Sequence, residues 1–424
     1  MRPLTVFVCL VAWLALAACG GQPAPVESAP PAESAAVEAE PVTETASQAV
    51  ESEAVAEPAA SADLTALKQA ALTTYADIVF ASYEDSYTLA VALQEAINAF
   101  VENPSEETHQ AAQEAWLAAQ EPYGQTEAYR FYGGPIDDED GPEGLLNAWP
   151  LDENYVDYVE GNETAGIINN VEEYPEITPD LLVSLNEAGA EENISTGYHA
   201  IEFLLWGQDF YEDSAGQRPY TDYVDAPHAD RRAAYLTLAA DLLVGHLAQM
   251  KEAWDPAVDG NYRADFLAKD PDAALQDVLT GLGVLSKSEL AGERMFTAYD
   301  NQDQEDEHSC FSDNTHRDII TNNQGIVNVY TGTYTRLDGS TVSGPSLAEV
   351  VAAVEPDLNQ QVLDLLDQSA AQVKAIHIPF DQAIVLPDER PAVLEAVMTL
   401  QDQGDKVAEV AAALGLTINT ALPE

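Results

Sequence analysis

The stretch Gly197-Tyr198-His199-Ala200-Ile201-Glu202-Phe203-Leu204-Leu205-Trp206-Gly207 decides how the chain is read. Two titratable side chains, His199 and Glu202, stand three residues apart in an otherwise apolar run. On an α-helix, residues i and i+3 share a face, so both point the same way. Ile201, Phe203, Leu204, Leu205 and Trp206 cover the other directions, so the helix is expected to be buried on most sides. Burying an ionisable pair is costly unless its members are paired or bound to a metal. Ser195 or Thr196 is placed to cap this helix.

Helical periodicity recurs outward from this stretch. Leu64, Leu67, Ala71, Tyr75, Ile78 and Val79 mark a helix within 64–100. Pro104-Ser105-Glu106-Glu107 opens a second, which passes Trp116, reaches about Arg130 and is stopped by Gly133-Gly134-Pro135. Residues 135–179 are irregular and dense in Gly, Pro, Asp and Asn, and Thr178-Pro179-Asp180 starts another helix. Further helices are expected over 229–254, 273–296, 347–365, 370–376 and 390–414. Residues 319–334 read as strand or helix by local propensity. The pattern predicts an all-α fold of two helical-bundle domains, 63–215 and 216–424, with the boundary in the irregular stretch 212–228.

The N-terminus reads as an address. Arg2 precedes an apolar run from Leu4 to Ala18, too short to span a bilayer with ease, and Leu16-Ala17-Ala18-Cys19 closes it. A cysteine directly after the cut resembles a lipobox, so 1–19 is expected to be a lipoprotein signal and Cys19 the lipidated mature N-terminus. Residues 20–62 hold no Lys or Arg and little bulky apolar surface, which predicts a disordered acidic tether. Sixteen basic against 74 acidic residues give a net charge of −58. Such a surface repels nucleic acid and anionic lipid and attracts cations. With Cys19 lipidated, Cys310 has no partner, which excludes a disulfide framework and a Cys-based zinc site.

One His and one Glu do not complete a metal shell. The stretch is neither HExxH nor HxxEH, because position 203 is Phe. Further ligands must come from other helices, as in carboxylate-rich bundle sites. Glu127, before the "FYGG" break, and Glu293, before the second acidic loop, are the candidates. His308, Asp313 and His316 converge within "HSCFSDNTHRD" (308–318) and join them. Arg130 and Arg294 are notable where bases are scarce: each would neutralise a buried carboxylate or hold an anionic ligand. The plainer alternative is a buried His199–Glu202 ion pair.

Three blocks carry a resemblance. "STGYHAIEFLLWGQD" (195–209) resembles the GxHxxE motif of the imelysin, or insulin-cleaving membrane peptidase-like, family. "GERMFTAYDNQDQEDEHSCFSDNTHRDI" (292–319) looks like the second signature of its iron-regulated branch, and "AWLAAQEPYGQTEAYRFYGGPID" (115–137) is similar to its first. Gly197, His199 and Glu202 match the motif, while Glu127, Arg130, Glu293 and Arg294 lie in matching blocks. The resemblance implies two helical bundles with a cleft between them, export to the cell envelope as a lipoprotein, and a link to iron acquisition. On that reading the ligand is a divalent metal ion or iron, bare or as a chelate. The membrane is reached through the N-terminal lipid, and a transport protein is the partner. The alternatives are a metallopeptidase, with Glu202 as ligand or as base on a metal-bound water, and a non-catalytic ligand-binding or scaffold protein.

Overall fold

The helix Ala59–Glu102 packs against both Glu106–Thr126 and Ala229–Trp254, and this trio supports the region that carries His199. The computed structural model describes residues 59–422. The expected signal 1–19, Cys19 and most of the expected tether lie outside the described residues. The first helix begins at Ala59, five residues earlier than its apolar periodicity indicates, in an alanine-rich stretch of high helix propensity.

The fold is all-α. Among the described residues the strands are Thr333–Thr335 and Thr341–Ser343, paired as one antiparallel hairpin. Helix Glu106–Thr126 starts with a capping box between Ser105 and Thr108 and ends in a 3₁₀ turn, Glu127–Tyr129. The ambiguous residues 319–334 are resolved by tertiary packing. Helix Thr315–Thr331 lies so close to Glu106–Thr126 that a Cβ on Gly325 would come 2.3 Å from the Gln125 carbonyl oxygen.

The expected helix over 273–296 is two structures in one. Pro271–Val284 is α-helical, capped by Asp270, and Leu285–Phe296 continues it as a π-helix packed on Arg390–Ala413. Helices Leu347–Val354, Pro356–Val373 and Arg390–Ala413 complete the C-terminal part. The irregular section after Pro135 contains only short helices, at Glu143–Leu146, Glu153–Val156 and Gly166–Asn169. Arginines hold it: Arg231 donates to the Ile167, Ile168 and Tyr174 carbonyls, and Arg218 and Arg232 clasp buried Asp157.

All ten residues of helix Gly197–Trp206 are buried. Thr196 occupies its N-cap position, but neither it nor Ser195 caps the helix. The Thr196 hydroxyl instead donates to the Leu145 carbonyl and to Asn186 Oδ1, tying the helix to its neighbours. Gly197 adopts φ +81°, and a Cβ there would meet the Leu146 carbonyl oxygen at 2.5 Å. Only glycine fits so close an approach in that conformation.

Candidate metal centre

His199 Nδ1 lies 2.9 Å from Glu202 Oε2, so the i, i+3 pair read from sequence is formed. Glu202 Oε1 accepts from the Ser312 backbone N–H at 3.0 Å and from its hydroxyl at 2.6 Å. Both oxygens are thus engaged, and Glu202 acts as the support of His199. With the carboxylate oxygen as acceptor, Nδ1 is the donor of this pair and Nε2 is the ring nitrogen the pair does not use. That Nε2 is buried without a hydrogen-bond partner. Burial pushes the Glu202 carboxyl up, and the bonds from His199 and Ser312 oppose it.

A second imidazole is built the same way. His308 Nδ1 lies 2.8 Å from Asp318 Oδ2, which also accepts from the Ser309 hydroxyl at 2.6 Å. Burial raises Asp318 to about 6, so it is an acceptor at neutral pH. Burial, with Arg294 and His199 nearby, pushes His308 well down, so its ring is neutral and its Nε2 is unprotonated. The Asn147 amide nitrogen approaches that Nε2 at 3.5 Å and Glu127 Oε1 at 3.4 Å. The two rings stand perpendicular with centroids 4.6 Å apart.

Glu127 sits at the base of the site on its 3₁₀ turn. Its Oε2 accepts from Arg130 and from Arg294, each at 2.7 Å. Burial opposes its ionisation, but Arg294 and Arg130 outweigh that and hold the carboxyl at about 2. Arg294 comes from the π-helix and also meets Glu289 and Asn322. Stretches of π-helix recur at functional sites because they re-aim side chains. Both arginines therefore neutralise one buried carboxylate, one of the two roles expected of them.

A polar cavity of about 180 Å³ opens onto this group, with Arg130, Asn147, Trp149, Arg294 and His308 in its wall. Glu143, Glu187, Glu191 and Glu289 line it too, so its field draws cations inward. The residues present fit a cation of imidazole-binding type. The unpartnered buried atoms at hand are His199 Nε2 and Asn147 Oδ1, while His308 Nε2 is met by the Asn147 amide nitrogen at 3.5 Å. Among the described residues, no three His, Cys, Asp or Glu side chains are gathered closely enough to hold an ion by themselves.

The remaining sequence candidates lie elsewhere. Glu293 is exposed, and its charged neighbours are Glu289 and Glu191. Asp313 and His316 line a separate cavity with Asp213 and Arg317. Half-buried Cys310 is free, and burial pushes its thiol well up, which leaves it a poor nucleophile. Asn147, Asp318 and Ser312 were not singled out from sequence. Asp318 and Ser312 stand inside the quoted 308–318 stretch, but Asn147 carries no signal among the many polar residues of its loop.

A family model, peptidase M75 (imelysin), matches residues 79–407. The chain belongs to the imelysin family. It is 29% identical over 325 residues to "Iron-regulated protein A" of Synechococcus elongatus, covering 75% of this chain and 78% of that protein. Its fold is similar to a crystal structure from Parabacteroides distasonis described as an iron-regulated protein A precursor, with TM-score 0.64 and 20% identity, over 84% of this chain and 97% of that one. An imelysin-like protein from Psychrobacter arcticum matches at TM-score 0.59 and 14% identity, over 86% and 98%.

Proposed function

We propose that this imelysin is a cell-envelope metal-binding protein whose ion is iron. The observation that carries the reading is the pair of imidazoles, His199 and His308. Each is fixed through Nδ1 by a buried carboxylate; His199 Nε2 has no partner, and His308 Nε2 has only the 3.5 Å approach of the Asn147 amide, which an ion would displace. Histidines that bind metals are held this way, because the carboxylate sets the tautomer and raises the basicity of the free nitrogen. The acidic cavity mouth concentrates cations, and Asn147 Oδ1 adds an oxygen donor. Solvent or a co-ligand completes the shell, which also lets the ion leave. Iron is favoured by the name of the Synechococcus relative, iron-regulated protein A. Location at the envelope rests on the lipobox-like Cys19, outside the described residues. Among the described residues no helix is long and apolar enough to cross a membrane. A lipid anchor would keep the domain beside a transport partner that receives the ion.

The peptidase alternative needs Glu202 free to act as a ligand or as a base on bound water. Its oxygens are taken by His199 and Ser312, so the arrangement supports binding better than hydrolysis. Elemental analysis after loading with ferrous ion tests the proposal. Near-stoichiometric metal is expected in wild type, with little in His199→Ala or His308→Ala; equal occupancy in all three would end it.

A further inference from the structure

On a different face of the 308–318 loop lies a group of carboxylates that metal binding at His199 does not use. Asp209, Glu307 and Asp381 are 6%, 1% and 6% exposed. Half-buried Asp313 and exposed Glu305 are among their charged neighbours. The charged neighbours that bear most on these five are other carboxylates. Elsewhere the chain gives its buried acids arginines: Asp157 has Arg218 and Arg232, Glu127 has Arg130 and Arg294, and Asp85 has Arg336. Among the described residues these five have no such arginine. Buried charge without a partner is expensive, so the compensating charge is expected from a ligand.

Two further observations point the same way. Glu307 Oε1 is buried with no hydrogen-bond partner, in the field of Asp209, Asp313 and Asp381. Two of those three, Asp209 and Asp381, line a cavity of about 630 Å³ together with Glu212 and Glu305, within the size range of small-molecule sites. Its wall also carries Phe210, Val385 and Leu386, which are 59%, 44% and 39% exposed. The acids are not gathered around one point as a metal ion demands. Spread carboxylates with apolar surface between them match separated positive charges joined by methylenes.

We propose that this cavity binds an alkyl polyamine, a flexible organic cation with ammonium groups spaced along a hydrocarbon chain. One ammonium group pairs with Asp209 or Asp381 at the cavity wall, in the field of buried Glu307. The methylenes lie on Phe210, Val385 and Leu386, and a second ammonium meets Glu212 or Glu305. The site is separate from the His199–His308 pair, so either can fail without the other.

Calorimetric titration of the purified protein with spermidine, at about 0.15 M salt to screen diffuse attraction, tests this. One site per chain is expected. Asp209→Asn/Asp381→Asn should weaken it at least about tenfold, given the strength of charge-assisted hydrogen bonds. The exposed pair Asp259→Asn/Asp265→Asn and His199→Ala should leave it unchanged. Because amides remove charge and keep shape, thermal melts should show both double variants folded. Three results would overturn the proposal: no stoichiometric binding, equal weakening in both double variants, or tighter binding of a pentalysine peptide than of spermidine. The last would assign the surface to a partner's lysines.

Discussion

His199 and His308 meet ring edge to ring face, 4.6 Å between centroids, although they come from a buried helix and a distant loop. Each Nδ1 is bound to its own carboxylate. The first prediction concerns those carboxylates. Glu202→Gln and Asp318→Asn leave both imidazoles in place but loosen their tautomer and orientation. Each should weaken metal affinity about 10–100-fold, less than loss of either histidine. Equilibrium dialysis with ferrous ion under anaerobic conditions measures this. An unchanged affinity in both variants would make the carboxylates purely structural.

How much of this was legible in the sequence differs by residue. The helix bearing His199 was legible because apolar side chains surround it on every side, and Glu202 had to share its face. Arg130 and Arg294 stood out because bases are scarce, and Glu127 because it precedes the "FYGG" break that ends its helix. Glu293 misled for a physical reason. Residues 285–296 are π-helical, and i→i+5 bonding shifts which side chains face inward, so Arg294 is buried and Glu293 is exposed. An α-helical reading of the same residues has no access to that shift. His308 could be named but not placed, because the loop from 302 to 314 has no periodicity, and its position is fixed by Asp318 and Ser309.

Gly197 allows a second prediction. Its φ of +81° and the 2.5 Å approach of the Leu146 carbonyl leave no room for a methyl group. Gly197→Ala should cost about 1–3 kcal/mol, the usual cost of a strained backbone position. It should also shift the start of the helix two residues before His199 and so lower metal occupancy. Denaturant unfolding and metal analysis on the same sample test both parts. A stable variant with full metal would contradict the geometry.

The third prediction concerns Arg294 and Glu127. Both are fully buried, and their 2.7 Å bond is one of two that neutralise the carboxylate. Removing one partner of a buried pair leaves an uncompensated charge, at a cost of about 3–5 kcal/mol. Arg294→Met should show a loss of that order in chemical denaturation. The double variant Glu127→Gln/Arg294→Met should recover part of it, because the stranded charge is gone. If the two single losses simply add, the residues are not coupled.

The last prediction is a pH dependence. Burial, then the charges of Asp209 and Asp381, lift Asp313 from an ordinary carboxyl value near 3.8 to about 7. Burial likewise lifts Asp209 to about 6. A carboxyl whose value is higher folded than unfolded binds its proton more tightly in the native state. It costs nothing well below the unfolded value near 3.8, where both states are protonated, destabilises progressively as pH rises from there to the folded value of about 7, and levels off above it. Asp313→Asn removes that cost. Asp313 has φ +55°, a conformation asparagine tolerates well, so the backbone accepts the change. The melting temperature of Asp313→Asn should therefore exceed that of wild type most at pH 8, with the gap shrinking towards pH 4. Any benefit of asparagine to the turn itself is the same at every pH, so the slope of the difference carries the test. A difference that stays constant from pH 4 to pH 8 would show that Asp313 titrates normally and that its neighbours do not crowd it.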